Sequence, residues 1–262
     1  MSVSVGEVAT CNLCASETRS VLLVKNGHRI YRCPSCGLAF THPQPQLPAE
    51  QYDASYFELY HKRREFRLRR ACDRLSRIEL ITSPGRILDV GCSLGYFLEA
   101  ASKRGWTPSG VEISPHAAQV AREHGLDVMT GTLEEAGYPE SCFDCVTMWD
   151  VLEHVQDPTE HMLEVRRVLV PGGLVVIGTP NMNHVLFRIK RERWRHLKPT
   201  EHLYYFNPAS IHALLRKTGF KPTRPPVLGG RSYRGSLGAR LKCGVARLVQ
   251  PNDVMTVYGV RT

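Results

Sequence analysis

The sequence contains no long hydrophobic run. None of its 262 residues lies in an apolar stretch of roughly 18 residues, the length that a transmembrane helix needs, so we expect no membrane-spanning segment. The first residues, Met-Ser-Val-Ser-Val-Gly-Glu, also lack the basic and then apolar pattern of a secretion signal. We therefore expect a protein that is not secreted and that lies in the cytoplasm.

The number of cysteines is odd, so they cannot all form disulfide pairs within the chain. Acidic residues are also too few to balance the basic ones. The nine cysteines include four in metal-type spacing, which suits a reducing compartment better than a disulfide framework. The 34 lysines and arginines exceed the 25 acidic residues, and the formal charge is +9. This charge favours an anionic partner but does not choose among a nucleotide-linked sugar, a nucleic acid and a lipid surface.

Two of the three glycines of a dinucleotide-binding fingerprint are absent from residues 86–97, R-I-L-D-V-G-C-S-L-G-Y-F. This stretch predicts a buried strand, a loop with Gly91 and Gly95, and the start of a helix. The fingerprint G-x-G-x-x-G would need glycine where Ser93 and Tyr96 stand. Glycine suits a loop that a ligand approaches closely, because a Cβ atom would block the approach. We predict a nucleotide-type pocket at the carboxyl end of a parallel strand; the alternative is a tight turn that binds nothing.

An acidic residue follows at the spacing expected of such a pocket. The next apolar stretch, Ser109 to Ile113, contains Glu112, which stands 21 residues after Gly91. A carboxylate at this place can accept hydrogen bonds from two ribose hydroxyls. Glu112 therefore favours a bound nucleoside over an empty turn.

The N-terminal region contains two Cys-x-x-Cys pairs, Cys11 with Cys14 and Cys33 with Cys36, separated by eighteen residues. Four thiolates at this spacing predict two knuckles that close around one tetrahedral Zn²⁺, and such a site is structural because no coordination position is left open. Asn26-Gly27 predicts a hairpin turn between the pairs. The alternative is four ordinary thiols.

A linker and a basic helix are predicted next. Three prolines between residues 43 and 48 indicate a stiff linker. Tyr52, Tyr56 and Tyr60 recur every four residues and could share one helical face, either packed on the domain or covering a cofactor. The following helix, His61 to Arg77, is rich in arginine and is either a solvated face or an anion-binding wall.

Titratable residues cluster after the predicted buried strand Phe143 to Trp149. Asp150, Glu153 and His154 would lie at its carboxyl end, beside the pocket. Two roles are open: His154 could act as a general base, or the three could hold a hard divalent cation. The alternative is a histidine that braces the start of a helix.

Two later segments could cover the site. A basic segment, residues 188–198, leads into E-H-L-Y-Y-F-N-P, so His202 follows the predicted fifth strand where a substrate lid would lie. Further on, a predicted helix has one apolar face made of Leu237, Leu241, Val245 and Leu248. This helix either packs on the domain or contacts a substrate or a membrane surface.

Four motifs then occur in order within residues 86–180: I-L-D-V-G-C-S-L-G, G-V-E-I-S, F-D-C-V-T-M-W-D-V-L-E-H-V and V-L-V-P-G-G. With them the chain resembles class I S-adenosylmethionine (SAM)-dependent methyltransferases, and its core resembles the ubiquinone-pathway O-methyltransferases. The resemblance implies an α/β fold with a Rossmann-like sheet of seven strands, the last antiparallel, and a small N-terminal zinc-ribbon module. We predict a zinc-binding module at 1–41, a linker and helices at 42–84, and the methyltransferase domain at 85–262.

The resemblance also implies roles for individual residues. It assigns Asp89, Gly91 and Gly95 to the cofactor loop and Glu112 to the ribose contact. It places Leu133 and Glu134 beside the adenine and Trp149 in the lining of the cofactor pocket. In ubiquinone-pathway relatives an acid-x-x-Glu-His set binds magnesium, and Asp150, Glu153 and His154 match it. Ser93 stands where glycine is commoner, and we expect only a shifted contact there.

The implied reaction is methyl transfer from SAM to a hydroxyl, amine or carbon of a small anionic metabolite, such as a sugar or glycan precursor. His154, His202 and Asp150 are the candidate catalytic residues. One alternative is an rRNA or tRNA methyltransferase that binds RNA through the zinc module and the basic helices. Another is a zinc-ribbon scaffold without catalytic activity.

Overall fold

The computed structural model describes residues 7–45, 54–225 and 253–262. The predicted helix that would carry Leu237, Leu241, Val245 and Leu248 lies outside these ranges, as does Tyr52. The interpretations that rest on those residues therefore stay predictions.

The N-terminal segment forms small β-sheets around the two cysteine knuckles. Its strands are β1 (Ala9–Thr10), β2 (Glu17–Thr18), β3 (Val21–Lys25), β4 (His28–Arg32) and β5 (Ala39–His42). Strands β3 and β4 form the predicted hairpin, and both turn residues have positive φ, 52° at Asn26 and 79° at Gly27. Two positive φ angles are typical of a type I′ turn, which Asn-Gly favours.

A strand from far along the chain completes the larger of these sheets. The order is β3, β4, β5 and then β11 (Tyr204–Tyr205), which pairs antiparallel with β5. The Thr41 N–H also donates to the Leu203 carbonyl over 2.9 Å. The domain boundaries given above stay predictions, but strand pairing crosses the first of them.

Two helices connect the N-terminal segment to the main sheet. They are α1 (Ala54–Lys62) and α2 (Arg64–Ile78). The prediction of one continuous basic helix from His61 is wrong, because the chain leaves helical geometry at Arg63, where φ is −109° and ψ is 22°. Helix α2 buries Ala71, Leu75 and Ile78 against the main sheet and its neighbouring helix.

The described residues after α2 form an α/β domain around a seven-stranded sheet. The elements in chain order are β6 (Arg86–Val90), α3 (Tyr96–Ser102), β7 (Thr107–Glu112), α4 (Pro115–Glu123), β8 (Val128–Thr130), β9 (Phe143–Trp149), α5 (Pro158–Val168), β10 (Leu169–Pro180), α6 (Val185–Lys190), a single 3-10 turn (Arg191–Arg193), β11, α7 (Pro208–Lys217), β12 (Phe220–Thr223) and β13 (Val254–Arg261). The strand order is β12-β13-β10-β9-β6-β7-β8, and β13 is antiparallel to both of its neighbours. The predicted fold class, a Rossmann-like sheet of seven strands with the last antiparallel, is confirmed.

The strand order places a ligand site at the middle of this sheet. From β6 the chain moves outward to β7 and β8, and then returns to β9 on the other side of β6. In open α/β sheets, ligands bind at the carboxyl ends of the strands where the order reverses. The loops after β6, β7 and β9 therefore border the expected site.

Polar residues at helix N-termini fix two helices of this domain. Asp157 caps α5 by accepting hydrogen bonds from the Thr159 and Glu160 amides. Asn207 caps α7 in the same way, and its Nδ2 also donates to the Gly37 carbonyl over 2.8 Å. One buried side chain thus joins a helix of the α/β domain to the second cysteine knuckle.

No helix within the described ranges is both long and apolar enough to cross a bilayer.

We predict that Asn207→Ala destabilises the protein more than Asp157→Ala does. Both variants lose a helix cap, which costs about 1 kcal/mol. Only Asn207→Ala also leaves the Gly37 carbonyl without its partner, so its total cost should reach about 2 kcal/mol or more. Urea unfolding measures the difference, and hydrogen exchange at residues 33–38 should accelerate in Asn207→Ala alone. Equal losses in the two variants, with unchanged exchange, would contradict this account of the contact.

Candidate active site

The glycine loop and Glu112 face each other, as the sequence predicts. One carboxylate oxygen of Glu112 accepts a hydrogen bond from the Ser93 amide over 2.8 Å, and the other accepts from the Ser114 amide over 2.9 Å. The Gly91 amide donates to the Val111 carbonyl over 2.8 Å, which joins the loop to β7. The bend after β6 and the end of β7 therefore form one unit.

The residues at this bend fit an adenosyl ligand. Ser93 has a φ of 54°, and its buried hydroxyl has no hydrogen-bond partner among the residues that the structure describes. The buried indole N–H of Trp149 also lacks a protein acceptor there. Buried polar atoms without partners are costly, so a polar ligand between these elements would satisfy groups that the protein leaves open.

From the sequence, the two loop glycines are explained by the close approach of a ligand, but the structure gives a different reason. Both have positive φ, 71° at Gly91 and 79° at Gly95. A Cβ atom on Gly91 would lie 2.5 Å from Cγ2 of Val151, and one on Gly95 would collide with Cδ1 of Leu126. Protein packing and backbone conformation therefore require glycine here, whether or not a ligand is present.

Asp89 lies beneath the loop and joins two central strands. It is 2% exposed, and its Oδ1 accepts a hydrogen bond from Thr147 Oγ1 on β9 over 2.5 Å. Burial raises the pKa of Asp89 to about 7, although the Thr147 hydrogen bond opposes this shift. Its contact with a cofactor stays a prediction.

The two residues predicted beside adenine differ in their surroundings. Leu133 is fully buried in the main hydrophobic core. Glu134 pairs with Nδ1 of His161 over 2.9 Å, and this hydrogen bond lowers the pKa of Glu134 to about 2. Sequence reasoning missed His161, because its place in the first turn of α5 gives no local sign of a partner 27 residues earlier.

Trp149 is covered on one side by a residue of the basic helix. The Arg74 guanidinium lies 3.7 Å from the centre of the Trp149 ring, and Phe97 packs against the same ring. Burial lowers the pKa of Arg74 to about 9, while the charges of Asp89 and Asp150 oppose the shift. At least one basic side chain of α2, Arg74, therefore points toward the site and not toward solvent.

The segment after β9 is a turn and not a helix. Asp150 has a φ of 59° and is exposed, while its amide donates to the Gly178 carbonyl over 2.8 Å. Asp150 and His154, four residues apart, therefore do not lie on one face of a helix. The structure instead groups Glu153, His154 and His202, whose ligand atoms lie within 4.8 Å of one another.

Backbone contacts hold this group in place. The Glu153 carbonyl accepts hydrogen bonds from the Leu203 amide over 2.8 Å and the Tyr204 amide over 3.2 Å. Thr41 Oγ1, in the N-terminal sheet, donates to the His202 carbonyl over 3.0 Å. Burial lowers the pKa of both His154 and His202 and raises that of Glu153 to about 8. The group therefore favours its neutral form in the free protein.

The four N-terminal cysteines come together as predicted. Their sulfur atoms lie within 4.8 Å of one another, with Cys11 3.6 Å from Cys36 and Cys14 3.4 Å from Cys33. The donor chemistry of four clustered thiols fits a tetrahedral metal ion such as Zn²⁺.

Comparison with known proteins points to one family. The profile of a methyltransferase domain matches residues 60–224. A ubiquinone biosynthesis O-methyltransferase from Alkalilimnicola ehrlichii is 41% identical over 105 residues, which are 37% of this chain and 42% of that protein. One from Cereibacter sphaeroides is 32% identical over 149 residues, 52% of this chain and 60% of that protein. The chain thus spans about half the length of these curated relatives.

Solved structures share the fold at low sequence identity. A SAM-dependent methyltransferase from Thermotoga maritima, described as a possible histamine N-methyltransferase, gives a TM-score of 0.56 at 20% identity, covering 79% of this chain and 97% of that one. A SAM-dependent methyltransferase from Archaeoglobus fulgidus gives 0.56 at 19% identity, covering 78% and 100%. At this identity the likeness extends to the fold alone.

We predict that Asp89 makes folding stability fall as pH rises. Its pKa is about 7 in the folded protein and about 4 in the unfolded chain, so between these values the folded state binds the extra proton. The unfolding free energy should therefore decrease from about pH 4 to pH 7 relative to Asp89→Asn. Urea titrations across this range measure the difference, with exposed Asp73→Asn as the control for loss of one carboxylate. A constant difference between the protein and Asp89→Asn would overturn the prediction.

Proposed function

The chain belongs to the methyltransferase-domain family and is a class I SAM-dependent methyltransferase, and from this premise we propose that it methylates a hydroxyl, amine or carbon of a small anionic metabolite, such as a sugar or glycan precursor. The observation that supports the proposal most is the Glu112 carboxylate, which faces the bend after β6 beside an unpartnered Ser93 hydroxyl. Bound SAM supplies an electrophilic methyl group on a sulfonium.

The cofactor side of the site would work by holding and orienting. Glu112 has lone pairs beyond the two that its amide bonds use, so it can accept the ribose hydroxyls. The Ser93 hydroxyl and the Trp149 indole would donate to polar atoms of the same ligand. Positioning of this kind accounts for much of the barrier reduction in a displacement reaction.

The acceptor side would work by removing a proton. His154 and His202 are the proposed catalytic residues, and their rings lie 4.7 Å apart. Methyl transfer forms a bond to the acceptor as the methyl–sulfur bond breaks, and a hydroxyl or amine then loses its proton. The histidines either take this proton or hold an ion that acidifies the acceptor. Asp150, exposed at the end of β9, is proposed as a third participant.

Basic residues support an anionic acceptor. Arg74 reaches the ring of Trp149, and α6 with the following 3-10 turn carries the exposed residues Arg188, Lys190, Arg191 and Arg193. The same charge would suit RNA, but the curated relatives that match the chain are named for ubiquinone biosynthesis and not for RNA methylation. The match to a methyltransferase domain and the curated O-methyltransferase relatives argue against a scaffold without activity.

We further propose that Cys11, Cys14, Cys33 and Cys36 hold one structural Zn²⁺, which leaves no open coordination position. Free thiols in this cluster suit a reducing compartment, and on that ground we assign the enzyme to the cytoplasm.

The experiment is mass spectrometry of cell extract incubated with the enzyme and isotope-labelled SAM. We expect one small anionic metabolite to gain a labelled methyl group. In matched assays His202→Ala should keep SAM affinity and lose transfer. Glu112→Gln should weaken SAM binding about 10- to 100-fold, because it removes a charged acceptor of hydrogen bonds.

Glu123→Gln, on the exposed side of α4, is the control and should behave as the unmodified protein. SAM affinity by calorimetry and label transfer by mass spectrometry are read on the same preparations. The proposal fails if the protein does not bind SAM, or if label appears only in RNA.

A further inference from the structure

Three side chains with metal-binding chemistry, two buried and one half-buried, meet on the acceptor side of the site. Glu153 and His154 follow β9, whereas His202 comes from the loop before β11. Glu153 is 1% exposed and His202 is 5% exposed. The rings of His154 and His202 meet edge to face at 86°, and one ligand atom from each of the three residues lies within 4.8 Å of the others.

Two of the atoms that could bind a metal ion have no hydrogen-bond partner. Oε1 of Glu153 and Nδ1 of His202 are buried without a hydrogen bond to any residue that the structure describes. Each such atom loses its contact with water and gains nothing in return. An ion between the three side chains would satisfy both atoms at once.

The other polar atoms of Glu153 and His154 make hydrogen bonds of the kind that usually orient metal ligands. Nδ1 of His154 lies 2.9 Å from the Glu201 carbonyl, which can only accept, so Nδ1 carries the proton and Nε2 keeps a free lone pair. Oε2 of Glu153 accepts from Thr179 Oγ1 over 2.9 Å. Metal-binding histidines and carboxylates commonly have such outer contacts, which fix their orientation.

This donor set does not match magnesium. Mg²⁺ prefers oxygen ligands in octahedral geometry, whereas two imidazoles and one carboxylate suit zinc, iron and related ions. The resemblance implies magnesium on Asp150, Glu153 and His154. In the structure Asp150 is exposed and stands outside the group, and His202 takes its place.

We propose that Glu153, His154 and His202 bind one divalent transition-metal ion in preference to Mg²⁺. This inference rests on the proposed function for its role in catalysis. Such an ion supplies Lewis acidity toward an acceptor hydroxyl, which favours O-methylation. His154 and His202 would then be ligands rather than bases.

Cobalt(II) titration of the full chain, stripped of metal with a chelator, tests the proposal. Cobalt bound by thiolates gives intense charge-transfer absorption in the near ultraviolet, whereas cobalt bound by nitrogen and oxygen gives only weak visible bands. We expect two ions per chain, one of each kind. Millimolar Mg²⁺ should displace neither.

Matched variants identify the second site. His202→Ala and Glu153→Gln should bind only the thiolate-bound ion, while His124→Ala, an exposed histidine after α4, should bind both. Thr179→Val should weaken the second ion about 10- to 100-fold, and Thr179→Ser should restore it. Should His202→Ala fail to fold by near-ultraviolet circular dichroism, Glu153→Gln and Thr179→Val decide the question.

Three results would overturn the inference: one cobalt ion in the unmodified chain, two ions in folded His202→Ala, or displacement of the second ion by Mg²⁺. SAM calorimetry on the same samples separates this inference from the proposed function. SAM binding with one cobalt per chain refutes the metal site alone. Two cobalt ions without SAM binding support the metal site and refute the proposed function.

Discussion

The proposed cofactor site of this protein depends on one buried carboxylate. Glu112 bridges the bend after β6 and the start of α4 by accepting hydrogen bonds from two backbone amides. Burial raises the pKa of Glu112, and these hydrogen bonds oppose that shift. A buried carboxylate is tolerated only with such partners, and here the same partners fix the loop. The site is therefore shaped before any ligand arrives.

The proposed acceptor site depends on long-range strand pairing. Strand β5, beside the second cysteine knuckle, pairs with β11, and the chain just before β11 carries His202. The Glu153 carbonyl accepts hydrogen bonds from two backbone amides of the same segment. The cysteine module is thus part of the wall that positions His202. An exposed edge on β5 is avoided by the same pairing.

The sequence predicted the elements whose signals are local. Ser114 caps α4, the run from Phe143 to Trp149 forms β9, and the cysteine spacing brings four sulfurs together. Contacts between distant segments could not be predicted in this way. Thr41 meets His202 across 161 positions, and no local pattern of hydrophobicity or turn residues encodes that pairing. His202 was predicted as a lid residue and as a candidate catalytic residue, but its approach to Glu153 and His154 depends on how this segment folds back. The loop with Gly91 and Gly95 was predicted correctly. The residues that require glycine there, Val151 and Leu126, could not be predicted, because no sequence pattern relates them to the loop.

The central claim is that the adenosyl group lies between the bend after β6 and Glu112. A crystal structure with S-adenosylhomocysteine tests it most directly. We expect both ribose hydroxyls within hydrogen-bond distance of the Glu112 carboxylate, with the Ser93 hydroxyl now paired. A nucleoside bound elsewhere, with Glu112 contacting only the Ser93 and Ser114 amides, would contradict the account.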